Sequence, residues 1–89
     1  MRKVFRIEYS RDALKALLRM PSNTAKLIRT KIEQLAADPL APNNNVKRLR
    51  GVNAFRLRVG DWRVVYEIDR RTIVIFVIGI GPRSSVYED

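Results

Sequence analysis

From Ile73 to Ile80 the chain reads Ile-Val-Ile-Phe-Val-Ile-Gly-Ile, apolar at almost every position. The run is far shorter than the roughly 20 residues a membrane span takes. It has neither the alternation of a half-exposed strand nor the length of a helix. It therefore predicts a strand in the middle of a sheet, covered on both faces. Such a strand needs partners on both sides and apolar layers around it, and the rest of the sequence has to supply them.

Val4 to Tyr9 alternates, with Phe5, Ile7 and Tyr9 on one side and Arg6 and Glu8 on the other, the period of a half-buried strand. Ala54 to Val59 and Trp62 to Ile68 are two more strands, joined through Gly60-Asp61, and Asp69 to Thr72 turns the chain into the Ile73 run. Between the first strand and these three lie two helical patterns. Ser10 stands where an N-cap belongs, Asp12 places a negative charge in the first turn, and Ala13, Leu14, Leu17 and Leu18 recur at helical spacing until Met20 meets Pro21. Pro21-Ser22-Asn23 restarts the chain, Ala25, Ile28, Ile32, Leu35 and Ala36 form a second stripe, and Asp38-Pro39 stops it. Pro39 to Val46, with three consecutive asparagines, is the only long loop. The expectation is an α+β fold of order β-α-α-β-β-β, with a helical hairpin packed on one face of a mainly antiparallel four-stranded sheet. The 89 residues make one domain, 1–89.

Composition narrows the chemistry. With no histidine and no cysteine, zinc sites, histidine triads and thiol catalysis are unsupported, and no metal or cofactor is expected. The amino terminus has the charge of a signal n-region but no following apolar stretch, so the default location is cytoplasmic, with no membrane association. Eighteen Lys and Arg against nine Asp and Glu leave a net charge of +9, which gathers nucleic acid or an acidic protein around so small a body.

The charge is concentrated. In the strand from Ala54 to Val59, Phe55, Leu57 and Val59 share one face while Arg56 and Arg58 share the other. A two-residue turn at Gly60-Asp61 pairs Val59 with Trp62 and sets Arg58 opposite Arg63 on the same exposed face. Any one of these arginines fits an ordinary solvated sheet face. Three aligned together repel one another unless an anion sits among them, and the guanidinium fork suits a phosphate. Lys47, Arg48 and Arg50 extend the patch, so that Lys47 to Arg63 holds six cations against the single acid Asp61. Gly79 to Gly81 ends the apolar strand, Pro82 fixes a turn, Arg83 follows, and Tyr87 comes four residues later. Trp62 and Tyr66 share the apolar side of their strand and read as core. Lys15, Lys26 and Lys31 read as helix surface.

Lys47-Arg48-Leu49-Arg50-Gly51, the run Phe55-Arg56-Leu57-Arg58-Val59-Gly60-Asp61-Trp62-Arg63-Val64-Val65-Tyr66, then Ile78-Gly79 to Arg83 and Val86-Tyr87 resemble the RelE family of bacterial toxins, within the wider RelE/ParE superfamily. The amino-terminal half agrees, so the resemblance covers the whole chain. It implies the toxin of a type II toxin–antitoxin system that cuts mRNA in the ribosomal A site, silenced by a co-encoded antitoxin that is expected to be acidic and to bind DNA when complexed. It places Arg56, Arg58, Arg63, Arg83 and Tyr87 on the family's functional positions and Arg50 on an RNA-contacting one. The implied reaction is attack of a 2′-hydroxyl on the adjacent phosphate. That assigns transition-state charge to the arginines and makes Tyr87 the base, with Arg83 and Arg63 drawing its pKa down. Two departures stand out. Positions 56 and 58 are arginine where familiar members carry lysine, and the chain ends at Asp89, which predicts no carboxy-terminal helix for an antitoxin to engage. A ParE-like inhibitor of DNA gyrase on the same fold, and a non-catalytic antitoxin- or RNA-binding relic, are the competing readings.

Overall fold

The computed structural model describes residues 4–83. Seven elements follow one another: β1 (Arg6–Tyr9), α1 (Arg11–Arg19), α2 (Ser22–Ala37), β2 (Val46–Arg48), β3 (Phe55–Val59), β4 (Trp62–Asp69) and β5 (Val74–Pro82). The strands form one sheet in the order β1-β5-β4-β3-β2, in which β1 runs parallel to β5 and every other pair is antiparallel. The expected α+β plan holds, with one correction: the sheet has five strands, not four. The additional strand, β2, lies in the segment entered from the asparagine loop. It has only three residues, too few for alternation to register, and its one apolar residue, Val46, packs on the core while Val46, Lys47 and Arg48 pair with Leu57, Arg56 and Phe55.

Both helices cover one face of the sheet. Ala13 and Leu17 of α1, and Ala25, Ile28, Ile32, Leu35 and Ala36 of α2, pack against Leu57, Val59, Val64, Tyr66, Ile75, Val77 and Ile80. Full burial of each large aliphatic side chain stabilises by about 1.5–3 kcal/mol, so this cluster holds most of the fold's apolar energy. The α2 stripe is as expected. The α1 stripe is narrower: Leu14 is exposed and Leu18 is 80% exposed, while Ala13, Ala16 and Leu17 are the α1 residues that pack on the core. Ser10 is the N-cap, its hydroxyl accepting from the Ala13 N–H at 3.0 Å and donating to the Ile78 carbonyl, while its own N–H donates to the Val77 carbonyl at 2.8 Å. One residue thus starts α1 and pins it to β5. α2 begins differently from expectation: Pro21 occupies the N-cap with no side-chain bond, and Asn23 reaches only the neighbouring Thr24 N–H.

Strand limits also shift. β1 starts at Arg6 rather than Val4, since the Phe5 N–H is taken by the Ala36 carbonyl. β5 starts one residue late because Ile73 has φ +59°, a left-handed conformation that costs a β-branched residue about 1–3 kcal/mol. At its far end β5 runs past Ile80 to Pro82. Ile78 is an extra residue between the pairs Val65–Gly79 and Tyr66–Val77, a bulge that lets pairing resume and run to Trp62–Pro82.

Candidate nucleic-acid interface

The face of the sheet away from the helices carries the arginines. The β3–β4 register sets Val59 opposite Trp62 and Arg58 opposite Arg63, with Gly81 of β5 next in the row. Gly60 is the one turn residue with positive φ, +58°, which fits a type II′ turn with glycine at its first central position. A neighbouring row runs from Lys47 through Arg56 to Val65 and Gly79. Arg83 joins the first group from the other side, because its N–H donates to the Asp61 carbonyl at 2.9 Å and so fixes the end of β5 beside the hairpin turn.

The three hairpin arginines are not equally exposed, as alternation alone suggests they should be. Arg58 is exposed and Arg56 half-buried, but Arg63 is only 7% exposed. Its Nη1 donates to the carbonyls of Gly60 and Trp62, both at 3.2 Å, while its Nε is buried with no hydrogen-bond partner. A buried donor without an acceptor costs about 1–3 kcal/mol, more on a charged group. Among the described residues the other buried side-chain polar atom without a partner is the neutral Tyr66 hydroxyl on the core side, so Arg63 is the charged group whose bonding an incoming anion would complete. Glycines at 79 and 81 leave that part of the face without side chains, and a Cβ added at Gly79 would meet nothing within 4 Å.

Arg48 does not belong to this cluster. It pairs with Phe55, whose ring faces the core side, and its guanidinium lies 5.9 Å from that ring's centroid, so it sits on the opposite face from Arg56 and Arg58. Lys47 is on the arginine side, opposite Arg56. Arg50 is exposed in the turn between β2 and β3, at the end of β3 away from Arg58. Tyr87 lies outside the described residues. Trp62 and Tyr66 are core, as their alternation implies: Tyr66 is fully buried and stacks on Phe55 at 5.6 Å, with a hydroxyl that has no partner and a pKa pushed above its ordinary value by burial. Lys15, Lys26 and Lys31 are exposed on the helices.

The sequence reading missed a second, small core on the arginine face. Leu49 and Ala54 fold the β2–β3 turn over Val65, with Ile78 against them. Leu49 sits amid cations in the sequence, where nothing marks it as buried; the signal is the apolar character of Val65 at a position whose parity points it away from the helices. This patch anchors the Arg50 turn to the sheet. Among the described residues no three His, Cys, Asp or Glu side chains converge, and no helix is long and apolar enough to cross a membrane.

Residues 7–87 match the family described as the ParE toxin of the type II toxin–antitoxin system parDE. The mRNA interferase toxin RelE of Escherichia coli is 25% identical over 85 residues, covering 93% of this chain and 90% of the relative. Among solved structures, the RelE–RelB complex of Pyrococcus horikoshii superposes with a TM-score of 0.79 at 24% identity, over 94% of this chain and 100% of the other. The RelBE complex of E. coli does so at 0.74 and 22%, over 88% and 95%. The fold, the matching family model and the spread of the likeness over nearly the whole chain agree: the chain belongs to the RelE/ParE toxins of type II toxin–antitoxin systems.

Proposed function

We propose that this toxin is an endoribonuclease that cuts mRNA in the ribosomal A site. The observation that carries the reading is the row Arg58–Arg63–Gly81, in which an exposed guanidinium faces a buried one with an unsatisfied Nε, beside a floor without side chains. A phosphoryl group there gains two charge-assisted contacts and relieves the orphaned donor. In the reaction the 2′-oxygen forms a bond to phosphorus and the bond from phosphorus to the 5′-oxygen breaks, leaving a cyclic phosphate and a 5′-hydroxyl. Arg58 and Arg63 stabilise charge on the phosphoryl oxygens, Arg56 and Lys47 extend the track, and Arg83, held against Asp61, orients at the far side. The arginines do not exchange protons near neutral pH. Tyr87 takes the proton of the 2′-hydroxyl in this scheme, the departing 5′-oxygen takes one from water, and the ribosome holds the codon in line. The arginines supply the charge that a metal supplies elsewhere, so cleavage is expected to survive EDTA. The relative named an mRNA interferase supports the activity, the solved complexes with RelB support an antitoxin partner, and the +9 charge favours an acidic one.

Toeprinting on translating ribosomes tests this. Wild-type protein should produce A-site cuts, while Arg63→Met and Tyr87→Phe should lose most of them. Intact message, or variants that cut as well as wild type, would refute the mechanism. The ParE description of the matching family model favours gyrase inhibition as the second reading. It predicts loss of DNA supercoiling in a purified gyrase assay with mRNA left intact.

A further inference from the structure

The arginine face has a second half that the proposed chemistry does not use. At the end of the sheet away from the Gly60 turn, the register aligns Glu8 of β1, Phe76 of β5 and Glu67 of β4 in one row across the sheet. Phe76 lies within the run that reads as buried on both faces, yet it is 37% exposed. With Val74, Asn53, Arg70 and Arg71 it lines an open depression of about 710 Å³. Most of the lining is charged or polar, and Phe76 is the aromatic side chain within it.

The polar groups are unequally engaged. Glu8 is held by Arg6 at 3.1 Å, and Asp69 accepts from the N–H groups of Arg71 and Thr72 within its own turn, which keeps its carboxyl below the ordinary value. Among the described residues nothing bonds to the carboxylate of Glu67, which is exposed next to Phe76. Acids balance cations here, so this half of the face does not attract phosphate as the hairpin half does. An aromatic ring beside a free carboxylate instead fits a nucleobase stacked on the ring and donating to the carboxylate. Two acceptor oxygens match a base edge with two adjacent N–H donors, and guanine has that edge. Adenine and cytosine present an amino group next to a ring acceptor, and uracil a single N–H between two carbonyls.

We infer that Phe76 and Glu67 form a base-reading subsite that selects guanine in the RNA whose phosphate lies at Arg58 and Arg63. The inference rests on the RNA-binding reading above. Glu67 lies four positions beyond Arg63 along β4, about 13 Å at the rise of a strand, so the base read belongs to a nucleotide other than the one whose phosphate is held. The Arg50 turn, fixed over Val65 by Leu49, lies between the two halves and offers a cation on the way.

The test uses the full chain and fluorescently labelled RNA heptamers, UUUXUUU with X each of the four bases, in an anisotropy titration at low salt. Wild type should bind the guanine heptamer about tenfold more tightly than the uracil one, the scale of one bidentate base contact. Glu67→Gln should bring that ratio below about twofold, and Phe76→Ala should weaken the guanine complex about tenfold while Phe76→Tyr restores it. Arg58→Ala should weaken all four heptamers alike and keep the ratio. Equal binding of the four by wild type, or a ratio unchanged in Glu67→Gln, overturns the subsite and leaves the phosphate reading standing. No binding of any heptamer overturns the subsite, and the toeprinting assay then decides the phosphate reading separately. Binding of an oligolysine peptide that Glu67→Gln abolishes, with no base preference, overturns the inference in favour of a basic protein partner. Phe76 is partly exposed, so its variants should melt close to wild type, and this is checked on the same samples.

Discussion

Replacing Arg63 with methionine should stabilise the protein while removing its function. In the folded state the guanidinium is 7% exposed, has an unbonded Nε, and faces Arg58 across the strand pair. Removing the orphaned donor recovers about 1–3 kcal/mol. Relief of the repulsion adds about 0.5 kcal/mol, taken near the high-dielectric limit because Arg58 is exposed. Against this stand two Nη1 bonds of 3.2 Å to the Gly60 and Trp62 carbonyls, about 0.5–1.5 kcal/mol each. Methionine keeps the buried stem and its apolar contacts, adding about 1 kcal/mol. At mid-range the sum is a gain of about 1.5 kcal/mol, a rise in Tm of about 6–12 °C for a domain of this size. Thermal unfolding followed by circular dichroism measures it, and RNA affinity on the same preparation should fall at least tenfold. A Tm several degrees below wild type would refute the reasoning, since it would mean that the guanidinium is satisfied and stabilising within the fold.

Other consequences follow from single bonds and angles. Ser10→Ala removes the α1 cap and the tie to the Ile78 carbonyl together, and urea unfolding should show a loss of about 1–3 kcal/mol. The Tyr66 hydroxyl keeps its proton in the fold beyond its ordinary pKa, so above about pH 10 the unfolded chain ionises and the folded one does not. Stability should then drop by about 1.4 kcal/mol per pH unit from this group. Tyr66→Phe should leave neutral-pH stability within about 1 kcal/mol and remove that part of the alkaline loss. Ile73→Asn exchanges some apolar burial for a residue that tolerates φ +59°, and its unfolding free energy should stay within about 1 kcal/mol of wild type, whereas Ile75→Ala should lose about 2–5 kcal/mol.

What could be read in the sequence depended on period and length. The α2 stripe and the Phe55–Ile68 hairpin repeat often enough to fix type, face and register, including the opposition of Arg58 and Arg63. β2 has three residues and one inward side chain, so its existence depends on β3 lying beside it. The parity that should have exposed all three arginines was right about the face and wrong about burial, because burial of Arg63 comes from its own guanidinium curling back to the turn carbonyls. Arg48 was misplaced for a related reason: a cation count over Lys47 to Arg63 ignores that β2 alternates too. Phe76 was hidden inside a run whose uniform apolarity says nothing about which residue the sheet leaves partly uncovered.

Gly79 separates what the fold needs from what the site needs. Its φ is not positive, and a Cβ there would meet nothing within 4 Å, so the backbone and the core both accept a side chain. A glycine in a strand interior is less stable than alanine by about 0.5–1 kcal/mol, so on folding grounds alone Gly79 is a poor choice. It faces Val65 on the arginine side, one row from Arg58 and Arg63, where a ligand backbone comes close. Gly79→Ala should therefore raise stability slightly, and Gly79→Leu should keep the fold while filling the floor over which a phosphate chain has to pass. In calorimetry both variants should melt at or above the wild-type temperature. In the toeprinting assay the alanine variant should retain partial cutting and the leucine variant almost none. Full activity in Gly79→Leu would show that RNA does not cross the Gly79 end of this row, and the polyanion track would have to be sought at its other end, along Lys47 and Arg56.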